Sequence, residues 1–395
     1  MRQSAPTPMA RRKSKKPNSS VEDVTRHVNE PTKVMLAALT AGRCQYLGCN
    51  KLVYEHHLTK EPGNYGQRAH IVGFRKGGPR GRAGSRKSLN DLSNLMLLCP
   101  EDHKKIDDDV ASHPRRLLAG WKRAHEERIR DLTSMGPEAQ SHIVSLRALV
   151  GGHLVDEVAV SSVLLALRPL GLYPAVQRAH DIELTGTHDS VADFYTTAAG
   201  QVTRQLADLV TRKPAHISVF ALAPIPLLVH LGSRISNKLP VEVFNRHRIG
   251  NTWRWSTHGT AVEFSLRLIR KGTNPKSVGL LVSISGVVEL DTLPGEIDGT
   301  FSLYEIRPTV APGRDLIRKR DDLARFREAY RRALEDILRE HGTLTELHLF
   351  PAVPVSVGVV LGHDVLPKAH PSLWVYDNRQ PKGFSLALKV DYDAE

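Results

Sequence analysis

The chain has 395 residues, 41% of them hydrophobic, a formal net charge of +13 and only three cysteines. A chain of this length can bury two or three separate cores, so it needs no disulfide scaffold. It contains no apolar stretch of about eighteen residues, and its first residues, MRQSAPTPMARRKSKK, lack the apolar region of a signal peptide. This argues against secretion and membrane spanning, and we expect a cytoplasmic protein.

The excess positive charge lies in the N-terminal third. Residues 1–130 hold 26 of the 55 basic residues and 13 of the 42 acidic residues, which leaves 29 of each sign for the rest. Neutralising phosphates releases condensed counterions and attracts a polyanion whatever its sequence. A basic tail kept for solubility would explain residues 11–16, but not the cluster formed by Arg68, Arg75, Lys76, Arg80, Arg82, Arg86 and Lys87. We therefore expect this third of the chain to bind a polyanion.

Local patterns divide the N-terminal third into segments. Residues 1–30 are rich in Pro, Ser and basic residues and predict a disordered arm. Helices are predicted at about residues 32–41 and 114–132, where apolar residues recur at helical spacing. Between them, residues 73–88 read GFRKGGPRGRAGSRKS and predict a loop.

The predicted domain boundaries follow from a change in the pattern of apolar residues along the chain. We expect a first domain at residues 31–136, with a linker around residue 137. From about residue 150 onward, apolar runs of strand length alternate with amphipathic helices, which predicts an α/β domain at 150–395. Its two halves are expected at about 150–276 and 277–395.

An internal repeat supports two halves. Residues 216–244 and 346–376 share one register at a constant offset of 130, which matches Phe220, Pro224, Leu231 and Gly232 with Phe350, Pro354, Leu361 and Gly362. Each copy predicts a strand–helix–strand–helix–strand unit, and the two units are expected to pack as a pseudo-dimer. Ligands of open parallel sheets bind beyond the carboxyl ends of the strands. Two related loops there, 221–226 and 351–356, suit a ligand with internal near-symmetry, such as a cyclic oligonucleotide, although a domain that only scaffolds is the alternative.

Candidate ligand-binding residues cluster in and around these loops. Backbone N–H groups at helix starts can bind phosphates, aromatic rings can stack on bases, and guanidinium groups can pair with phosphates. The candidates on these grounds are Pro224, Pro226, Pro354 and Ser356 in the loops, Trp253, Trp255 and Trp374 for stacking, and Arg248 and Arg307 for phosphate. Core packing is the alternative for each tryptophan.

The three cysteines suggest a structural zinc site. Cys44 and Cys49 are separated by four residues, and Cys99 is followed by Asp102 and His103. Four N, S or O donors in two short clusters are what tetrahedral Zn²⁺ requires. Spacing alone leaves the fourth ligand open between Asp102 and His103, and three buried free cysteines are the alternative.

The order of these motifs resembles the HNH nuclease family. A cysteine pair is followed by His70 in AHI, Asn94 in NLMLLC and His103 after the last cysteine. The resemblance implies a ββα-metal fold stapled by zinc, in which His70 is the general base, Asn94 orients the loop or His70, and His103 binds a catalytic Mg²⁺ or similar divalent ion. In that case Asp102 becomes the preferred fourth zinc ligand.

One position departs from the HNH pattern. Many family members carry Asp immediately before the first His as a metal ligand, and this chain has Ala69. The resemblance therefore leaves open whether Asp107, His57 or water completes the catalytic ion.

The second domain contains LFPAVPVSVGVVLG and, close to its end, KGFSLALKVDYDA. With the N-terminal HNH pattern, nearly the whole chain beyond residue 30 resembles the HNH–SAVED effector nucleases of bacterial CBASS anti-phage systems. This resemblance implies a multi-domain α/β protein with an N-terminal ββα-metal HNH domain and a C-terminal SAVED domain of two Rossmann-like, CARF-like halves. A cyclic di- or trinucleotide would bind the SAVED domain, drive homo-oligomer assembly and activate non-specific cleavage of double-stranded DNA. Two alternatives stay open, a constitutive restriction-type HNH nuclease that reads modified DNA and a non-enzymatic zinc-dependent DNA-binding regulator.

Overall fold

The chain folds into two compact units, which we call the N-terminal unit (Met1–Ser134) and the C-terminal unit (Met135–Glu395). This computed structural model describes residues 27–73, 77–81, 89–150, 153–175, 180–184, 191–212, 214–235, 239–379 and 381–391. Residues 1–26 of the predicted arm and residues 74–76 and 82–88 of the predicted loop lie outside the described residues.

The described part of the N-terminal unit contains three α-helices and one antiparallel hairpin. Its elements are α1 (Glu30–Leu39), β1 (Gln67–His70), β2 (Leu95–Leu98), α2 (Pro100–Asp108) and α3 (Arg115–Thr133). The two predicted helices correspond to α1 and α3. Helix α1 begins where the sequence provides a cap, because the Asn29 side chain accepts a hydrogen bond from the Thr32 N–H at 2.8 Å.

Strand β2 is the centre of this unit's core. All four of its residues, LMLL, are buried, and the cluster around them includes Leu36 of α1, Ile106 of α2 and Leu118 of α3. Strand β1 pairs with β2 so that Gln67 lies opposite Leu98 and His70 lies opposite Leu95. The hairpin and α2 therefore form a ββα arrangement around one small core.

The C-terminal unit is an α/β structure with two sheets. Its first elements are β3 (Gln140–Val150), β4 (His153–Leu154), α4 (Val160–Leu167), β5 (Tyr173–Pro174), β6 (His180–Leu184), α5 (Val191–Arg212), β7 (Ile217–Leu222), α6 (Ile225–Arg234) and β8 (Val241–Val243). They are followed by β9 (Phe264–Arg270), β10 (Val278–Ser283), β11 (Ser302–Pro308), α7 (Arg320–His341), β12 (Glu346–Ala352), α8 (Val355–His363), β13 (Ser372–Asn378) and β14 (Phe384–Val390).

The sequence repeat is a structural repeat. In the first sheet the parallel strands follow the order β6-β3-β7-β8, and in the second they follow β11-β10-β12-β13. The second sheet gains an antiparallel strand at each edge, β9 beside β11 and β14 beside β13. The expectation of two related α/β halves is confirmed, since equivalent strands occupy equivalent places.

Two expected boundaries differ from the structure. Strand β3 begins at Gln140 and occupies the position in its sheet that β10 occupies in the other, so the unit starts before residue 150 and the supposed linker around residue 137 leads directly into a strand. Strand β9 belongs to the second sheet, so the halves meet before Phe264 rather than at 276 and 277. The apolar patterns of β3 and β9 are shorter than the sequence repeat, on which the prediction of the two halves was based.

Helices α6 and α8 join the two halves across a glycine contact. A β-carbon at Gly232 of α6 would lie 1.9 Å from the Val359 carbonyl oxygen, and one at Gly362 of α8 would lie 1.8 Å from the Val229 carbonyl oxygen. The two contacts are equivalent, since 229 and 232 map onto 359 and 362 under the repeat. One hydrophobic cluster runs through both halves, so they share a core.

Candidate active site and candidate ligand pocket

Three thiols and one carboxylate converge between the segment after α1 and the start of α2. Donor atoms of Cys44, Cys49, Cys99 and Asp102 all lie within 4.8 Å of one another. The Sγ atoms of Cys44 and Cys99 are 3.2 and 3.1 Å from Asp102 Oδ2, and the Sγ atoms of Cys49 and Cys99 are 4.0 Å apart. The four side chains therefore point at one common centre.

The local backbone explains why these residues meet. The Cys44 N–H donates to the Lys51 carbonyl at 2.8 Å, and the Cys99 N–H donates to Cys44 Sγ at 3.3 Å. Gly48 adopts φ 85°, which lets the chain reverse between the two cysteines without a β-carbon clash. Cys99 directly precedes Pro100, the first residue of α2, so the helix start fixes both Cys99 and Asp102.

These four side chains could together hold Zn²⁺. Burial raises the pKa of Cys44 to about 12 and also raises the pKa of Cys99, so these thiols keep their protons unless a cation replaces them. Burial would raise the pKa of Asp102, but hydrogen bonds from the thiols of Cys49, Cys99 and Cys44 outweigh burial and lower it. Three sulfurs and one carboxylate match the donors of a structural zinc site. Asp102 joins the thiols, whereas His103 faces another partner.

His70 is the last residue of β1. Its Nε2 lies 3.1 Å from Oδ1 of Asn90, whose amide nitrogen donates to the His27 carbonyl at 3.3 Å. Asn90 therefore restricts the orientation of the His70 ring. This role could not be predicted from the sequence, because the two residues are twenty positions apart with a Gly/Arg-rich segment between them.

Asn94 closes the segment that connects β1 to β2. Its Oδ1 accepts from the Val72 N–H at 2.8 Å, and its Nδ2 donates to the carbonyls of Val72 and Leu89 at 3.2 and 2.8 Å. These three hydrogen bonds join the two ends of the segment. One end is Val72, which follows His70 by two residues. Asn94 thus holds the backbone beside His70, as the resemblance implied.

His103 lies one turn into α2 and faces the hairpin. Its Nδ1 is 2.5 Å from Gln67 Oε1, and its Nε2 is 3.8 Å from Asp107 Oδ2. Burial lowers the pKa of His103, and the charges of Arg80 and His70 lower it further against the opposing effect of Asp107. The imidazole is therefore neutral at pH 7, the form that can bind a metal ion.

Ala69 cannot supply the carboxylate ligand that the HNH pattern has at this position. Its side chain is buried in the core and opposes Met96 in the hairpin. Asp107 is the carboxylate that the structure places beside His103, whereas His57 is exposed and its ring lies next to His56. Among the described residues, no third His, Cys or carboxylate donor joins His103 and Asp107 at metal-sharing distance.

Arg80 is not available to a polyanion. Its side chain is 3% exposed, donates to the Ile106 carbonyl and forms a 2.6 Å ion pair with Asp107 Oδ1. The Arg115 guanidinium in turn binds the carbonyls of Arg80 and Gly81. Arg80 therefore anchors the described part of the Gly/Arg-rich loop to α2. Arg75, Lys76, Arg82, Arg86 and Lys87 lie outside the described residues.

In the C-terminal unit, only part of the predicted loop set faces outward. Pro224 and Pro354 are the capping residues of α6 and α8 and lie at the carboxyl ends of β7 and β12, as expected. Pro226 and Ser356 are buried, and Ser356 Oγ donates to Asn245 Oδ1 at 3.1 Å. The first turn of each helix directs both side chains into the core, and a ligand contact at Pro226 and Ser356 stays a prediction.

The predicted stacking residues do not form one site. Trp253 is 3% exposed, packs edge-on against Phe220 and also lines the cavity described below, whereas Trp255 is half-buried against Phe244. Trp374 lies near the amino end of β13, away from the strand ends where α6 and α8 begin, with the Lys389 ammonium 3.7 Å from its ring.

The two predicted phosphate-binding arginines are also apart from Trp374. Arg307 is on β11, which is separated from β13 by β10 and β12, a distance of about 14 Å across the sheet. Arg248 is exposed in a turn after β8. The structure therefore does not gather Arg307 and Trp374 around one ligand.

A cavity of about 330 Å³ lies at the carboxyl end of β3. Its polar lining includes Ser145 and Arg147 of β3 and Arg246 after β8, and Ala159, which precedes α4, borders it. Arg147 pairs with Asp181 at 3.3 Å, while Asp156 and Glu157 add negative charge to the lining. Trp253, one of the predicted stacking residues, lines this cavity, whereas the sequence did not point to Ser145 or Arg147.

One family model matches the C-terminal unit. The matched residues are 198–390, and the family is described as SAVED, the SMODS-associated and fused to various effectors sensor domain. Residues 198–390 are therefore similar to a SAVED sensor domain. The matched segment runs from within α5 to the end of β14, so it includes α6, α8 and the whole second sheet, whereas β3, β4, α4, β5 and β6 precede it.

Solved structures with some similarity also contain SAVED domains. The Acinetobacter baumannii Cap4 SAVED/CARF-domain containing receptor with the cyclic trinucleotide 3'3'3'-cAAA is 13% identical, with a TM-score of 0.44 and coverage of 78% of this chain and 67% of that chain. The corresponding Moraxella osloensis receptor is 11% identical, with a TM-score of 0.37 and coverage of 74% and 60%. These values are too low to transfer a ligand or a site residue.

No curated protein matches the chain. Within the described residues, no helix is both long and apolar enough to cross a lipid bilayer.

Proposed function

We propose that this chain is a cyclic-oligonucleotide-activated, metal-dependent endonuclease that degrades double-stranded DNA non-specifically, as an effector of CBASS anti-phage defence. The observation that carries the proposal is the placement of His70 at the end of β1, Asn94 directly before β2 and His103 on α2, in the same unit as the cysteine cluster. This arrangement occurs in a chain whose other unit contains residues similar to a sensor domain of a family described as fused to various effectors.

His70 is the proposed general base. When its Nε2–H donates to Asn90 Oδ1, the basic lone pair of the imidazole is on Nδ1, and that atom would take the proton from an attacking water. Asn94 acts indirectly, because its three hydrogen bonds hold the backbone that follows His70. Asn94 is therefore a positioning residue.

Two kinds of metal site support this assignment. Cys44, Cys49, Cys99 and Asp102 would hold Zn²⁺ and link the segment after α1 to α2, which stabilises a unit with a small core. His103 would help to hold Mg²⁺ or a similar ion, which when bound stabilises negative charge on the scissile phosphate and leaving oxygen. His103 contributes a neutral imidazole that Gln67 orients through Nδ1.

The charge distribution favours DNA as the substrate. The first 130 residues carry twice as many basic as acidic residues, whereas the remainder is balanced. Contacts to the phosphate backbone position a protein without reading sequence. Binding through this third of the chain would therefore be sequence-independent and would weaken steeply as salt is added.

The SAVED domain is the proposed gate. We expect a cyclic di- or trinucleotide to bind near the starts of α6 and α8, which the shared core brings into one body, and to favour an assembled homo-oligomer. Shifting such an equilibrium from 1:99 to 99:1 requires about 5.5 kcal/mol of differential binding. A ligand of several charged phosphates is large enough to provide it.

A plasmid-cleavage assay tests the proposal. Purified protein with Mg²⁺ is incubated with unmodified plasmid, with and without a panel of cyclic di- and trinucleotides. We expect cleavage only with a particular cyclic nucleotide and no cleavage by His70→Ala, while the exposed His258→Ala behaves as wild type. Equal cleavage in every lane would instead indicate a constitutive nuclease. DNA binding without cleavage under any condition would indicate a zinc-dependent regulator.

A further inference from the structure

Helix α2 presents a second group beside the proposed metal-binding His103. Asp107 follows His103 by four residues, so both side chains lie on one face of the helix. His103 Nε2 and Asp107 Oδ2 are 3.8 Å apart. This is too long for a hydrogen bond. Two adjacent ligands at about 2.1 Å from one octahedral ion are about 3 Å apart, so a shared ion would draw these two atoms less than about 1 Å closer together.

The remaining atoms of both side chains are already held by other groups. His103 Nδ1 is bound to Gln67, which leaves Nε2 directed at Asp107. Asp107 Oδ1 receives the 2.6 Å bond from Arg80, so Oδ2 is directed at His103. Because the Arg80 side chain is 3% exposed and also bound to the Ile106 carbonyl, it fixes the carboxylate in this orientation.

We propose that Asp107, together with His103, binds the catalytic divalent ion and supplies the carboxylate that Ala69 cannot supply. This inference rests on the proposed nuclease function, of which it specifies the metal site. Two protein ligands are sufficient for Mg²⁺ or Mn²⁺, since such ions keep several waters and bind substrate phosphate oxygens. The carboxylate comes from the helix rather than from the strand.

Mn²⁺ binding to the full-length, zinc-loaded protein tests the proposal without relying on activity. Asp107→Asn keeps an Oδ1 acceptor for Arg80, so the fold should persist, and its melting temperature is measured alongside. We expect Asp107→Asn to weaken Mn²⁺ binding, followed by electron paramagnetic resonance, at least tenfold. Asp108→Asn is the matched control, because Asp108 is exposed and pairs with Lys104 in the adjacent turn, and it should bind Mn²⁺ as wild type does.

The outcomes separate this inference from the proposed function. Unchanged Mn²⁺ affinity in Asp107→Asn would overturn the role of Asp107, even if His103→Ala abolishes binding and the protein cuts DNA. His70→Ala should keep its Mn²⁺ affinity and lose cleavage. Cleavage retained by His70→Ala would refute the nuclease mechanism, whatever Asp107→Asn does to metal binding.

Discussion

Gly232 and Gly362 occupy equivalent positions in the two halves of the C-terminal unit, and each lies against a backbone carbonyl of the opposite helix. The carbonyls belong to Val359 and Val229, which are also equivalent. Helices α6 and α8 approach this closely only because neither glycine has a side chain. The contact positions the two helix starts that we propose to meet the ligand.

Gly232→Ala should therefore force α6 and α8 apart. A β-carbon 1.9 Å from the Val359 carbonyl oxygen cannot be accommodated by a side-chain movement, and overpacking of this kind costs about 1–3 kcal/mol or more. The free energy of unfolding in urea should fall by at least that amount. Gly295→Ala provides the control, since a β-carbon there meets nothing within 4 Å, and equal stability of the two variants would contradict the tight crossing.

Removal of Asp102 should release zinc from the N-terminal unit. Asp102→Ala deletes the oxygen that lies 3.1–3.2 Å from two of the thiols. Zinc affinity should fall by at least about tenfold, the loss that follows when a residue that only orients a ligand is removed. Zinc content per chain, measured by mass spectrometry during chelator titration, checks this.

The comparison variant for zinc binding is Asp108→Ala on the same helix, which should retain one zinc per chain. Zinc retention by Asp102→Ala equal to that of the wild type would mean that another donor completes the site.

Asn94→Ala should impair cleavage more than it impairs folding. The substitution removes three partly buried hydrogen bonds, which contribute about 1 kcal/mol each. It also frees the backbone next to His70, and a misplacement of about 1 Å can lower a rate about 100-fold. The measurement is the ligand-activated cleavage rate at a temperature where the variant is still folded. Asn64→Ala, in an exposed turn, should cut at the wild-type rate, and a matching rate for Asn94→Ala would exclude a positioning role.

Mild acid should destabilise the C-terminal unit through His230. Burial lowers the pKa of His230 to about 4 from 6.5, and its Nε2–H donates to the Ala199 carbonyl at 3.1 Å. Between these values the unfolded chain binds a proton that the folded chain does not. The stabilisation is therefore complete above pH 6.5 and is lost as the pH falls towards 4, by about 3 kcal/mol in total.

Urea unfolding between pH 7 and pH 4 measures this loss. His230→Gln keeps a donor for the Ala199 carbonyl but cannot titrate, so its stability should depend less on pH than that of the wild type. Parallel pH profiles for the two proteins would show that His230 is not responsible.

The sequence was enough to predict the order and duplication of the secondary-structure elements. It was not enough to predict which side chains point into the core and which point to solvent. The offset of 130 is enough to predict two related halves, because an internal repeat must fold into equivalent elements. It could not show that Ser356 turns inward to Asn245, since one residue of slip at a helix start changes which face a side chain occupies. The position of Trp374 could not be predicted for a related reason. Amino-acid composition does not show whether a residue lies near the amino end or the carboxyl end of its strand.

The N-terminal unit shows the same division. The two short clusters, Cys44 with Cys49 and Cys99 with Asp102 or His103, were predictable from their spacing, whereas the choice of Asp102 came from the resemblance. Asn90, Gln67 and Arg80 were not predictable, because each acts on a residue at least twenty positions away through a single contact. Such contacts depend on how strands and loops pack, which periodicity does not encode.

Covalent linkage of the two halves has a consequence for the sensor. Because β9 and β14 extend only the second sheet, the duplicated body has unequal edges, and a substitution at Gly232 leaves Gly362 unaltered. A homodimer built from identical halves would dissociate on dilution and would suffer every mutation twice. A single polypeptide keeps its two halves at a constant effective concentration, whatever the concentration of the protein. Each half can also diverge in sequence, so that the two halves could bind different parts of an asymmetric cyclic nucleotide under the proposed function.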